Sequence, residues 1–451
     1  MMKYQHPEKP IAQAMLLEPL AGSAAWWNEI ATRGTPWTEP SRDGFCRVTF
    51  FWRDPQGDET TSETQRVWIN INGITDHHQS SPPQSLQRLA GTDVWHWQTE
   101  LRADWRGSYS MIPRTESGAE FPQNNDDYQS MLAAREWWKN LFRHATHDPL
   151  NPHRPWPGAK SHALSGLHMP EALPQPAWAE FDLHGPKAPQ APAALETFRW
   201  KSARLGNMRN VWVFTTGASQ EPASRPLAIL LDGQFWAKQM PVWQPLMQLT
   251  REGALPDAVY VLIDVIDIQT RSRELTCNPE FWLAVQDELL PQVKKLAAHS
   301  DNAQKTVVAG QSFGGLSSLY AGLHWPERFG CVLSQSGSFW WPRRHRQQAS
   351  DDQQEAESIL SQVEKGLGER SHLKIFMEAG RNEKLIYDVN NQMEALLKPT
   401  PNQVHYRVLE GGHDALWWRG GLLDGLCSLW DETQWAAGDP SSNGKITERN
   451  N

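Results

Sequence analysis

No stretch of the sequence strings together the ~20 apolar residues that a membrane-crossing helix needs. The opening, MMKYQHPEKPIAQAMLLEPL, lacks an apolar core ahead of a small-residue cleavage site, so the reading is a protein that is not exported and works in the cytoplasm. Cysteine is scarce. Cys46, Cys277, Cys331 and Cys427 lie far apart with no CxxC and no CxxH, which argues against a disulfide framework or a thiolate zinc site and fits a reducing compartment. No HExxH or comparable ligand spacing occurs, and the adjacent His77 and His78 read as surface residues, so no metal and no cofactor is expected. Positive charge is also in deficit. A formal net charge of −9 supplies no general means of binding nucleic acid or anionic membrane, although it leaves room for a local basic pocket.

What the chain has in excess is tryptophan, 24 residues, several of them in pairs: Trp26-Trp27, Trp137-Trp138, Trp340-Trp341 and Trp417-Trp418. Most read as packing, with a few free to line a site for flat aromatic ligands. At 451 residues the chain is longer than one core usually fills, so two domains are expected. In the first part, the segments 47–54, 66–74, 93–101 and 107–114 are short, aromatic and β-branched, with polar Gly- and Pro-bearing turns between them. They predict a small antiparallel β-sandwich of immunoglobulin-like type. A helix over 126–142 and a Pro-rich coil follow.

Beyond the Pro-rich stretch HGPKAPQAPAA the pattern changes. Near-continuous apolar runs at 226–233, 258–266, 305–310, 331–337, 372–380 and 404–412 alternate with helical stretches, among them 280–299, 316–324 and 387–397. That alternation predicts a mostly parallel sheet covered on both faces. The expected division is a sandwich with a helical appendage over 1–184, a linker at 185–194, an α/β-hydrolase domain over 195–436 and a polar tail over 437–451.

Within the third of those runs' exit lies VVAGQSFGGLSS. A Gly-x-Ser-x-Gly pattern says little alone. Here it follows a buried strand and precedes a helix, the setting in which a serine is lifted above a sheet on a sharp turn. Ser312 is therefore the candidate nucleophile, and the Phe313 N–H, at the start of the helix, would face a developing oxyanion. A serine needs a base, and in this fold the chain order is serine, acid, histidine. His413 stands just past the last predicted strand, in EGGHDALWW. The acid belongs after the preceding strand, where Glu383 is the first carboxylate; Asp388 and a Ser–His dyad remain open as alternatives. The second oxyanion donor belongs in the loop DGQFW, at the Gln234 N–H.

Several stretches, LLDGQFW, TRSRELTCNPEFWLAVQDELLPQV, GQSFGGLSSLYAGLHWPERFGCVLSQSGSFWW, EAGRNEKLI and EGGHDALWWRGGL, resemble the esterase D-like α/β-hydrolases and within them are most similar to the enterochelin (enterobactin) esterases. Upstream, RVTFFWRD and RVWININGITDHH resemble the N-terminal sandwich of the same enzymes, so the likeness spans nearly the whole chain apart from the polar tail. The resemblance implies hydrolysis of the serine trilactone of ferric enterobactin to linear and monomeric dihydroxybenzoylserine, so that iron is reduced and released inside the cell. It puts the nucleophile on Ser312, the histidine on His413 and the acid, less firmly, on Glu383.

Such a substrate is a catechol-bearing trianion, so its pocket should hold positive charge and aromatic faces. Arg271 and Arg273 in TRSRE, Arg381 and Lys384 in GRNEK, and Arg419 with Trp417 and Trp418 in WWRGG are the candidates, with Arg273 alternatively holding the loop through a carboxylate. Arg114 is a more remote one from the first domain. Two other readings compete. The same chemistry serves feruloyl or acetyl-carbohydrate esters, mycolyl transfer and glucosylated siderophores, and a hydrolase fold can also serve as a non-catalytic siderophore-binding scaffold.

Overall fold

Aromatic and β-branched runs broken by Gly and Pro turns give the first sheet its strands: β1 (Trp37–Pro40), β2 (Phe45–Arg53), β3 (Arg66–Ile71), β4 (Gln84–Arg88), β5 (Val94–Arg102), β6 (Arg106–Arg114), β7 (Trp156–Pro157) and β8 (Ala163–His168). In this computed structural model the described residues are 10–76, 82–116, 120–122, 128–158, 162–185, 195–342 and 357–435. The readings made for His77, His78, most of the linker and the tail fall outside them. The strands are antiparallel, in the order β1-β2-β5-β4-β3-β6-β8-β7. Residues of β2, β3 and β6 share one buried core, in which the Phe50 and Tyr109 rings lie 5.0 Å apart. Two of the tryptophan pairs seal the outside. Trp26 and Trp27, on the helix Ala24–Arg33, pack with Phe51, and Trp137 and Trp138, on the helix Tyr128–Phe142, pack with Ile112.

The second sheet is built from β9 (Leu195–Ser202), β10 (Asn207–Thr215), β11 (Leu227–Leu230), β12 (Val259–Ile263), β13 (Thr306–Gln311), β14 (Cys331–Gln335), β15 (Lys374–Gly380) and β16 (Gln403–Leu409). Its order is β16-β15-β14-β13-β11-β12-β10-β9. The six strands β11 to β16 are parallel, as their continuous apolar character predicts. β9 and β10 add an antiparallel edge that the pattern did not announce. Alternate residues of the central strands feed two separate cores. One faces the helix Phe313–His324 and the helical run 279–296; the other faces the helices Trp243–Arg251 and Ala415–Trp430. Trp156, Ala177 and Trp178, upstream of the linker, also enter this second core. Residues upstream of the linker thus pack directly onto the hydrolase sheet.

Candidate active site

In a parallel sheet of this kind the carboxyl ends of the strands open one crevice. Backbone strain collects there. Among the described residues six that are not glycine have positive φ, and five of them, Asp232, Ile266, Ser312, Ser336 and Lys384, follow the ends of β11 to β15. Ser312, at φ 59° and ψ −120°, is the sharp turn between β13 and the helix Phe313–His324. The glycine two before it is required, because a Cβ on Gly310 would lie 2.5 Å from the Gly314 carbonyl carbon. Ser312 is then pinned to the end of β14. Its N–H donates to Gln335 O at 2.9 Å, its carbonyl accepts from Ser338 N at 3.1 Å, and its Oγ lies 3.3 Å from Ser338 Oγ.

At the neighbouring strand ends, His413 Nδ1 meets Glu383 Oε1 at 2.6 Å. Glu383 is buried and its other oxygen is fully occupied, accepting from Gly380 N at 2.6 Å and Ser336 Oγ at 2.9 Å. Ser336 in turn accepts from Trp418 Nε1 at 2.9 Å, and the Trp418 ring stands edge-on to the imidazole, 4.6 Å between centroids. Gln335 and Ser336 are consecutive, so the serine turn and the acid–histidine pair hang from one strand end. Between the two carboxylates left open, the geometry brings Glu383 to the imidazole; Asp388 is exposed on the following helix Leu385–Leu397. Ser336, Ser338 and the orienting role of Trp418 were not foreseen. Strand-end serines carry no sequence mark of their own.

The Phe313 N–H opens its helix and has no intrahelical acceptor. Gln234 lies in the turn after β11, next to β13 in the sheet, and its side-chain Oε1 accepts from Val265 N at 3.2 Å. Of the cationic candidates, Arg271 is turned inward. It binds Asp232 twice, Nε–Oδ1 at 2.5 Å and Nη2–Oδ2 at 2.7 Å, and reaches Gln311 O at 3.3 Å, tying the Gln234 turn to the serine turn. Burial pulls its pKa down, and the Asp232 charge and hydrogen bonds more than restore it. The loop-holding role considered for Arg273 therefore falls to Arg271. Arg273 is exposed, with Nη2 3.5 Å from Thr270 Oγ1. Arg381 is exposed but paired with Glu410 at 2.6 Å, and Lys384 is exposed beside it.

Three candidates are corrected. Trp418 is 8% exposed, with its N–H committed to Ser336, so it orients the pair rather than stacking on a ligand. Trp417, 3% exposed, is packing, its Nε1 donating to Gly412 O at 2.6 Å. Arg419 is fully buried and forks onto Asp182, both bonds 2.7 Å, with Nε on Gln175 Oε1 at 2.8 Å. It clasps the two halves of the chain. Arg114 closes β6 roughly 20 Å along the strand from Ser108, whose end touches the His413 loop.

Beside the clasp, His153, His168 and Asp182 have ligand atoms close enough to hold a metal ion. They do not fit one. Arg106 Nε donates to His168 Nδ1 at 2.8 Å, which leaves the proton on Nε2, and Arg106 and Arg419 are already the local cations. Burial first, then Arg419, Arg106 and His153, hold His168 well below the usual imidazole range. The folded protein keeps this ring neutral while the unfolded chain binds a proton below about pH 6.5. Stability should therefore fall as pH drops through that value, at about 1.4 kcal/mol per pH unit for one imidazole. His168→Gln, which still offers Arg106 an acceptor, is expected to flatten urea midpoints measured between pH 5 and 7; parallel curves would refute this origin.

Fold and site geometry place the chain among the ester hydrolases of the α/β class. Two family models divide it, "Enterochelin esterase, N-terminal" over residues 47–178 and "Putative esterase" over 202–443. The chain belongs to the enterochelin esterase family. It is 52% identical to an iron(III) enterobactin esterase of Escherichia coli over 409 residues, 91% of this chain and 96% of that one. It is 50% identical to the iron(III) enterobactin esterase of Dickeya dadantii over 416 residues, 91% and 94% of the two chains. The crystal structure of the ferric enterobactin esterase of Salmonella typhimurium matches with a TM-score of 0.81 at 48% identity, covering 91% of this chain and all of that one. A Shigella flexneri enterobactin esterase, crystallised in the presence of enterobactin, matches at 0.75 and 50%, covering 91% and 99%.

Proposed function

We propose that the protein hydrolyses the trilactone ester bonds of ferric enterobactin to linear and monomeric dihydroxybenzoylserine, and that it does so in the cytoplasm, where the iron is then released. His413 Nε2 takes the Ser312 proton while Ser312 Oγ attacks the ester carbonyl. The tetrahedral oxyanion is held by the Phe313 and Gln234 amides, and its collapse expels the serine alkoxide of the substrate, which His413 protonates. Water, deprotonated by His413, then releases the acyl group from Ser312. Glu383 keeps Nδ1 protonated and stabilises the imidazolium. The observation that carries this reading is the 2.6 Å Glu383–His413 bond at the same strand ends that hold the strained Ser312. The substrate class is supported by the names of the relatives at 50–52% identity. The first 184 residues act as one domain and 195–436 as the catalytic one, joined by the Pro-rich linker.

A product time course separates this from other esters. Ferric enterobactin should disappear through linear trimer and dimer to monomer, well ahead of a feruloyl ester; faster feruloyl turnover would overturn the assignment. A glucosylated analogue belongs in the same assay, since a salmochelin esterase of Escherichia coli is 26% identical over 434 residues, 94% of this chain and 98% of that one. Arg273, exposed among the described residues, is a cation proposed to meet the substrate. Arg273→Ala should raise KM for the trianion about ten-fold, the worth of one charge-assisted hydrogen bond, and leave a neutral aryl ester unchanged. Equal changes on both would remove Arg273 from the pocket.

A further inference from the structure

His413 sits on a loop whose own sequence, Gly411-Gly412-His413-Asp414, gives the backbone little rigidity. The hydrolase half holds it at Asn382 N–Gly411 O, 3.0 Å, and at Trp417 Nε1–Gly412 O, 2.6 Å. Besides these and the Glu383–His413 bond, several fasteners come from the first half of the chain. Asn72, just past β3, donates from Nδ2 to the carbonyl of His413 itself at 2.9 Å. Gly73 presses backbone to backbone on the loop, so closely that a Cβ on Gly412 would fall 2.5 Å from Gly73 Cα. On β6, Ser108 N donates to Asp414 Oδ2 at 2.7 Å and Ser108 Oγ to Asp414 Oδ1 at 3.0 Å, while Arg106 N donates to Glu410 O at 3.1 Å. Asn72 N donates to Ser108 O at 3.0 Å, so the two fastening residues are themselves one bridge. Asp414 Oδ1 also caps the helix Ala415–Trp430 through Leu416 N at 2.8 Å.

We infer that the N-terminal sheet is part of the catalytic machinery: Asn72 and Ser108 are positioning residues that hold the His413 loop against Glu383 and set where Nε2 points. This rests on His413 being the general base. An imidazole displaced by about 1 Å costs up to ~100-fold in rate without touching substrate affinity. The first sheet therefore acts on the chemical step, and acts equally on every ester.

The test uses the full-length chain with Asn72→Ala, Ser108→Ala and Asp414→Asn. In the last, the amide oxygen keeps the Leu416 cap and the amide nitrogen faces the Ser108 N–H, so the clasp opens while the helix start is retained. For each variant kcat and KM are measured on ferric enterobactin and on a small neutral aryl ester, along with the rate at which a fluorophosphonate labels Ser312. Asn72→Ala and Asp414→Asn should lower kcat on both esters and the labelling rate by one common factor of about ten or more, with KM for ferric enterobactin within two-fold. Ser108→Ala keeps the backbone bond, should fall about three-fold, and gives a folded variant if Asn72→Ala does not. A rise in KM confined to the siderophore, with labelling unchanged, would make these residues a substrate subsite and overturn the proposal. Unchanged kinetics throughout would do the same. Hydrolysis by Ser312→Ala would instead sink the serine–histidine reading, whatever these variants do.

Discussion

Ser312→Ala is expected to lower kcat for ferric enterobactin by about 10⁵- to 10⁶-fold, while the dissociation constant stays within about three-fold of wild type. The Cβ is common to both residues, and alanine inherits the turn at φ 59° together with the Gln335 and Ser338 backbone bonds that pin it. What disappears is the oxygen that attacks and its 3.3 Å contact with Ser338 Oγ. On the proposed mechanism this hydroxyl forms the covalent intermediate, so better positioning of the rest cannot replace it. Arg273, the cation proposed for the substrate, is left in place, so siderophore fluorescence quenching should survive. Turnover persisting near wild type would remove Ser312 from the mechanism. Loss of binding in step with activity would leave the hydrolase half as a scaffold whose serine serves affinity.

Glu383→Gln should be nearly as damaging, about 10³- to 10⁴-fold in kcat, in a protein of unchanged melting temperature. The Oε2 position accepts from Gly380 N and Ser336 Oγ, so a glutamine there must present its oxygen to those two donors. Its NH₂ then faces His413 Nδ1, now an acceptor, and the imidazole proton moves to Nε2. That tautomer presents N–H, not a lone pair, to Ser312. The geometry survives and the base is lost. A Glu383→Gln enzyme within ten-fold of wild type would assign the acid to another residue.

How far the sequence could be read depended on how local each signal is. The elbow at Ser312 was legible because glycine spacing and a buried strand lie within one short run. His413 was legible from its place after the last strand. Between Glu383 and Asp388 the decision rests on one turn. Lys384, at φ 49°, swings the chain so that the first carboxylate stays buried at the strand end and the second rides out on the helix. β9 and β10 were passed over because their half-polar alternation beside a Pro-rich stretch does not look like the continuous runs of β11 to β16. Arg419 failed for another reason. An arginine destined for burial reads the same as one on a surface, and its partner Asp182 lies 237 positions earlier in the chain. The fasteners of the histidine loop span 306 and 341 positions, beyond any pattern of spacing.

The buried Arg419–Asp182 fork also bears on how such a protein could arise or be taken apart. A proline-rich joint suggests two modules open to free exchange by recombination. Cutting there would remove Asp182 and Gln175, which bind the guanidinium, together with Trp178 and Phe181, whose rings it lies against, and leave an unpaired arginine in an apolar scar on the hydrolase half. Any chimaera that borrows the hydrolase half has to bring its own carboxylate to that spot or replace the arginine with something apolar.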